Sequence, residues 1–254
     1  MTIFDFSIYE IIFVCAGVFF AGLMDAIAGG GGLISLPAYL ISGLPAHIAL
    51  GTNKLSSCIG TAVSTLRYIK NGFADWGLAV PSIFLGLAGA FCGTKLQLMA
   101  DEKFLKYFLV CVLPVIAVII LRQKKLPEEN QEMNIWLRRA IVWGCSFFIS
   151  IYDGFYGPGT GTFLMLSFCN LAKLDVRTAS GNVKIVNLSS NTSALFTSLV
   201  AGKVCIPLGL VAAVFSVTGH YIGAGLTIKN GSKVVKPAII IALLLLLIKV
   251  ITDL

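Results

Sequence analysis

Apolar blocks follow one another along the chain, at approximately 8–28, 33–43, 46–66, 77–99, 104–121, 137–157, 161–171, 178–200, 206–228 and 235–251. A helix needs about 20 residues to cross the hydrocarbon of a bilayer, and most of these blocks qualify. Blocks 33–43 and 161–171 are too short. Each follows a glycine-rich break, GGGG at 29–32 and GPGTG at 157–161. The pattern predicts membrane helices, two of them short half-helices that restart near Leu33 and Thr162. Trp76 and Trp136 stand at block edges, where amphipathic rings favour the membrane interface. One long polar stretch, RQKKLPEENQEMNIWLRR at 122–139, divides the chain near its midpoint.

Composition agrees with a lipid-facing surface. The chain has 57% hydrophobic and 12% charged residues and a mean hydropathy of +0.91, whereas soluble domains carry about twice that charged fraction. The first ten residues hold Asp5 and Glu10 and no basic residue, so the first block is expected to stay in the membrane rather than be cleaved as a signal peptide. The net charge of +7 resides in short loops between apolar blocks, as the positive-inside rule expects, and no nucleic-acid partner is implied. The seven cysteines are scattered singly, without a CxxC, and His47 and His220 are far apart in sequence. No disulfide framework, metal site or cofactor follows.

The two sides of the polar stretch resemble each other. Asp25-Ala-Ile-Ala-Gly29 matches Asp153-Gly-Phe-Tyr-Gly157, with 153 − 25 = 128; Gly51-Thr-Asn-Lys54 matches Gly181-Asn-Val-Lys184, with 184 − 54 = 130; Gly89-Ala-Phe-Cys-Gly93 matches Gly219-His-Tyr-Ile-Gly223, with 219 − 89 = 130. Agreement in order and spacing predicts an internal duplication, a common construction in transporters. The expected division is 1–121 for the first repeat, 122–139 for the linker and 140–254 for the second. If each glycine-broken stretch crosses once, loop Lys and Arg residues split eight against eight and give no orientation. If each is a hairpin returning to its own face, each half crosses three times and the halves are inverted. Lys95, Lys103, Lys106 and Lys203 then face the other twelve, a bias that puts 122–139 in the cytoplasm and both termini outside. The fold expected is all-α and integral to the membrane, with about 6–8 crossings plus short half-helices.

Of the 31 Lys, Arg, Asp and Glu residues (19 + 12), only Asp25, Lys54, Asp153 and Lys184 fall well inside apolar stretches. Such a residue costs at least about 2.5–3.5 kcal/mol at membrane depth and normally faces a cavity or a partner. Lys54, Ser57, Thr61 and Ser64 share one helix face, as do Lys184, Asn187, Asn191 and Ser198, with Asn53 and Asn182 beside them. Two such faces meeting would line a polar central site. The competing readings are an Asp–Lys pair that only locks helices together and interhelical hydrogen bonding by small polar residues. The breaks add Gly30, Gly31, Gly32, Gly159, Thr160 and Gly161, where a restarting helix presents its first N–H groups and its positive dipole end. Tight glycine packing is the alternative there. Two lysines and two such ends together call for a small anion.

These residues carry a family resemblance. GLMDAIAGGGGLISLPAYL with ALGTNKLSSCIGT, and DGFYGPGTGTFLML with ASGNVKIVNLSSN, resemble the TauE/SafE sulfite exporter family over nearly the whole chain. The resemblance implies a bacterial inner-membrane permease for a small anion such as sulfite, a sulfonate or another organosulfur acid. Lys54, Lys184 and the surrounding amides and hydroxyls would hold the anion, and Asp25 and Asp153 would balance charge or carry a coupling proton. Asn182 and Asn53 sit at different positions within their repeats, so the half-sites are not chemically identical. The second hypothesis is a cation or proton pathway through Asp25 and Asp153. No HExxH or GxSxG supports an enzyme, and no nucleotide-binding motif supports ATP drive.

Overall fold

The computed structural model describes residues 6–101, 127 and 129–241. The expected spans at 104–121 and 235–251 and the boundary at 121–122 lie wholly or partly outside these residues. Everything regular among the described residues is helical. Helix α1 (Ile8–Ala28), α2 (Gly32–Ile41), α3 (Ala46–Lys70) and α4 (Trp76–Met99) make up the first half. Helix α5 (Ile135–Phe155), α6 (Thr160–Leu166), α7 (Val176–Val200) and α8 (Ile206–Asn230) repeat that order in the second. A single π-helical turn, Ser167–Leu171, extends α6, and residues 232–241 are helical again. The two restarts thus begin at Gly32 and Thr160, within two residues of the sequence expectation.

Local chemistry sets the helix ends. Ser7 and Glu10 form a reciprocal capping box at the start of α1, which satisfies two otherwise unpaired donors. Asp75, Asn134 and Asp175 accept first-turn N–H groups of α4, α5 and α7. At the other end of α1, Gly29 takes a left-handed φ of +79°, and its repeat-related Gly157 has φ +98°. Glycine adopts this conformation at little cost, so both first helices stop at the same place in their repeats.

The packing order gives the sense of every helix. Gly31 lies against Ala21 and Asp25 while Gly17 lies against Ala38, so α2 runs back along α1. In the second half Tyr152 bonds Pro158 and Arg138 bonds Ala172, so α5 and α6 form the same kind of hairpin. Gly219 packs on Phe19 and Leu23, and Gly223 on Leu23 and Ala26, making α1 parallel to α8. Gly51 meets Lys203 and Gly60 meets His220, making α3 parallel to α8 as well. Gly89 meets Phe147 and Gly93 meets Phe155, so α4 and α5 are parallel. Gly181 meets Phe73 and Gly86 meets Ser189, which adds α7 to that set. Lys54 reaches Asn191 whereas Thr65 reaches Lys184, so α3 and α7 are antiparallel. Each helix of the first half therefore opposes its counterpart in the second. The halves are inverted, and the glycine-broken stretches are hairpins.

The halves also interlock. Helix α1 packs on α8 and α5 on α4, and α3 and α7 pack on each other and on α8 and α4. Glycines bring these backbones close, the usual device where lipid gives no hydrophobic drive between helices. Helices α1, α4, α5 and α8 are long and apolar enough to cross a membrane, with Phe84, Phe148 and Val214 among their outward side chains. Helices α3 and α7, at 25 residues each, are as long but far more polar. Surrounded by the apolar helices, they keep their polar faces away from lipid.

Candidate functional site

The four intramembrane charges come together as two pairs, and each pair joins the two halves. Lys54 Nζ on α3 lies 2.9 Å from Asp153 Oδ2 on α5. Lys184 Nζ on α7 lies 2.7 Å from Asp25 Oδ2 on α1. None of the four is more than 9% exposed. Burying either charge alone costs several kcal/mol, and a close partner with further hydrogen bonds offsets that cost. Both carboxylates have such a further donor. Ser190 Oγ donates to Asp153 Oδ2 at 2.6 Å, and His220 Nε2 lies 3.1 Å from Asp25 Oδ2. Lys54 Nζ also donates to Asn191 Oδ1 at 2.9 Å.

A cavity of about 30 Å³ lies among these groups, room for roughly two waters. Asp25, His220, Lys54 and Asp153 reach its wall from four helices. Asn53, Ser57, Asn187 and Asn191 line it from α3 and α7, and Gly31, Gly32, Thr160 and Gly161 from the two restarts. Asn53 is 9% exposed, and its amide oxygen has no hydrogen-bond partner among the described residues. The hairpin tips meet back to back: a Cβ on Gly29 would lie 2.2 Å from the Gly161 carbonyl carbon. Thr162 Oγ1 donates across this contact to the Ala28 carbonyl at 2.8 Å, satisfying the open end of α1. The first N–H groups of a helix have no partner one turn back in the helix; at the restarts Leu33 N–H and Thr160 N–H bond the Gly30 and Gly157 carbonyls, and Gly32 and Gly161 beside them line the wall.

Some sequence-predicted residues stand apart from the cavity wall. Lys184 sits behind Asp25 rather than on the wall, and Gly30 and Gly159 also lie off it. Thr61 is beside His220, 3.4 Å from Nε2. Asn182 turns its amide back onto its own helix, donating to Thr178 O at 2.8 Å. His220, Ser216, Ser190, Ser35 and Gly22 were not singled out in the sequence. His220 stood inside a repeat match, Gly219-His-Tyr-Ile-Gly223, and the change from Ala90 to His220 at that match was the available signal.

Residues 14–250 match the sequence profile of the family described as sulfite exporter TauE/SafE. The chain is 32% identical over 251 residues to a probable membrane transporter protein, ORF9, of a Sinorhizobium species, covering 98% of this chain and 95% of that one. It is 31% identical to a probable membrane transporter protein of Haemophilus influenzae, covering 95% and 94% of the two chains. It is also 31% identical to the probable membrane transporter protein YfcA of Escherichia coli K12, covering 92% and 86%. No solved structure shows a significant match.

Proposed function

Because this chain belongs to the TauE/SafE sulfite exporter family, we propose that it is a secondary permease of the bacterial inner membrane that carries sulfite or an organosulfur anion between its two halves. The observation that supports this most is the pair of buried Lys–Asp bridges, each spanning the halves, around a polar cavity. Each lysine is satisfied by an aspartate, so an incoming anion competes with Asp153 for Lys54. The amides of Asn53, Asn187 and Asn191 and the restart N–H groups add neutral donors, which bind oxyanions without adding fixed charge. Asp25, bonded to Lys184, holds the second lysine in reserve behind the wall.

The same bridges link binding to movement. The cavity has room for only about two waters, less than the four heavy atoms of sulfite occupy, so an anion enters only if the halves separate around it. An anion that takes a lysine from its aspartate removes a bond between the halves. Rocking of inverted repeats about a central site is the general mode of secondary transport, and here the substrate loosens the contacts that oppose it.

Uptake of radiolabelled sulfite into proteoliposomes tests the proposal. The wild-type protein should give saturable flux, and Lys54→Met or Lys184→Met should lower it at least tenfold. Unchanged flux in either variant refutes the role given to that lysine.

A further inference from the structure

The two half-sites differ by a side-chain exchange at four repeat-related places. Around Asp25, His220 and Ser216 fill a slot left open by Gly22 and Gly60: a Cβ on Gly22 would lie 2.8 Å from His220 Nδ1, and one on Gly60 2.5 Å from it. Around Asp153 the sizes are reversed. The counterparts of the two glycines are Ser150 (22 + 128) and Ser190 (60 + 130), and those of His220 and Ser216 are Ala90 (220 − 130) and Gly86 (216 − 130). Only the Asp25 half-site thus gains an imidazole, a side chain with a ring nitrogen that can take up a proton.

The atoms around His220 accommodate both of its charge states. Asp25 Oδ2 receives Lys184 Nζ at 2.7 Å and faces His220 Nε2 at 3.1 Å. Lys184 Nζ can only donate and, at 2.7 Å, keeps Asp25 an ionised acceptor, so Nε2 carries a hydrogen and donates to Oδ2. Nδ1 is then the ring nitrogen left to take up a proton. It lies 2.9 Å from the Ser216 carbonyl oxygen, which can only accept, and 3.3 Å from Ser216 Oγ, which can donate. The protonated ring donates to the carbonyl, and the neutral ring accepts from the hydroxyl. Ser216 and His220 both line the cavity, so the proton can come from there.

The charged groups facing His220 complete the balance. From α1 there is Asp25, with Lys184 of α7 behind it. On α3, Lys54 lies across the cavity, paired with Asp153. Arg67 lies further along α3 and is bound to the Tyr221 carbonyl and stacked on its ring. The neighbouring Tyr68 donates to Ala26 O. With His220 neutral, Asp25, Lys184, Lys54 and Asp153 sum to zero. Proton uptake at Nδ1 forms one N–H bond and leaves the cavity with one unbalanced positive charge, which an anion balances.

We propose that His220 is the proton-binding residue that couples anion transport to the proton gradient, with one proton taken up in each transport cycle. This rests on the anion-permease reading above. Protonation from the side that binds substrate precedes or accompanies anion entry, and loss of the same proton on the other side favours anion release. The half-site around Asp153 takes no proton in the cycle.

Proteoliposomes with a pH-sensitive dye inside and radiolabelled sulfite separate the two ideas. In wild type, an inward proton gradient should accumulate sulfite at least tenfold and acidify the lumen beyond what sulfite alone produces in protein-free vesicles. His220→Gln should lose gradient-driven accumulation at least tenfold, while sulfite counterflow, which needs no net proton movement, falls only severalfold. Ser216→Ala, which keeps the carbonyl but removes the hydroxyl donor to the neutral ring, should fold and move the pH of half-maximal uptake upward by about half a unit to one unit. Wild-type sulfite flux without proton movement, full accumulation by His220→Gln, or an unshifted profile in Ser216→Ala overturns the coupling and leaves the permease intact. An absence of any wild-type flux of sulfite or a sulfonate overturns the permease reading and the coupling with it.

Discussion

Lys54 and Asp153 are each buried to an extent that neither could sustain alone, at 6% and 2% exposure. Their 2.9 Å contact carries two consequences that can be separated. Removing one member leaves the other charged and unpaired, which costs about 3–5 kcal/mol. Replacing both by apolar residues of similar volume removes that penalty. Lys54→Met should therefore lower thermal stability in detergent clearly, and Lys54→Met with Asp153→Leu should recover much of the loss. The expected coupling from the double-mutant cycle is about 2–3 kcal/mol. Transport stays lost in both. A double variant as unstable as the sum of the singles would mean that the pair does not hold the halves together. These charges were legible in the sequence because a charge inside an apolar block is expensive and so stands out. Their partners were not, since the sequence offers no way to see that a side chain on α3 of one half reaches α5 of the other. The reading of the lysines as anion ligands and the reading as a helix lock meet in the same bonds.

At the scale of the helix, the glycine breaks act through the backbone. Gly29 has φ +79° and touches Gly161, whereas Gly43 has φ +85° with nothing near its missing Cβ. Alanine at Gly43 should cost only the strain of a left-handed residue, of the order of 1–3 kcal/mol. Alanine at Gly29 adds the displacement of the opposing hairpin tip, and a further 1–3 kcal/mol is expected on the scale of about that size for overpacked sites. Comparing the melting temperatures of the two variants isolates the contact, and equal losses would show that the tips do not bear on each other. The breaks themselves were visible as GGGG and GPGTG followed by short apolar runs. Whether such a break continues a crossing or turns it back was left open by the sequence, because both choices need the same flexible residues. Packing decides it: Ala38 on α2 returns to Gly17 on α1. His220 escaped notice for a related reason. It stands on α8, an apolar helix whose repeat match was carried by Gly219 and Gly223, and its partners outside α8, Asp25 and Thr61, come from α1 and α3.

Over the whole molecule, inversion sorts the basic residues between two faces. The turn after α3, with Arg67 and Lys70 near it, shares a face with the start of α7, since Gly181 packs on Phe73. Gln131 and Asn130 bond Lys173 and Asp175, which places the described part of the central polar stretch there too. Arg138 joins through Ala172, and Lys229 through Arg177. Lys203 lies on the other face, against Gly51 near the start of α3. Among the described residues this agrees with the uneven division expected from the hairpin reading, with Lys103, Lys106, Arg122, Lys124 and Lys125 outside them, and the positive-inside rule predicts that the face with Arg67, Arg138, Lys173 and Arg177 is cytoplasmic. Single cysteines at the exposed positions Asn71, Gln131 and Ala201, in a background without native cysteines, test both parts with a membrane-impermeant maleimide. Ala201→Cys should label in intact cells, and Asn71→Cys and Gln131→Cys only after permeabilisation. The reverse pattern would turn the protein over in the membrane but keep the halves inverted. Labelling of Asn71→Cys and Ala201→Cys from the same side would end the inverted arrangement, and with it the pairing of each lysine with the aspartate of the opposite half.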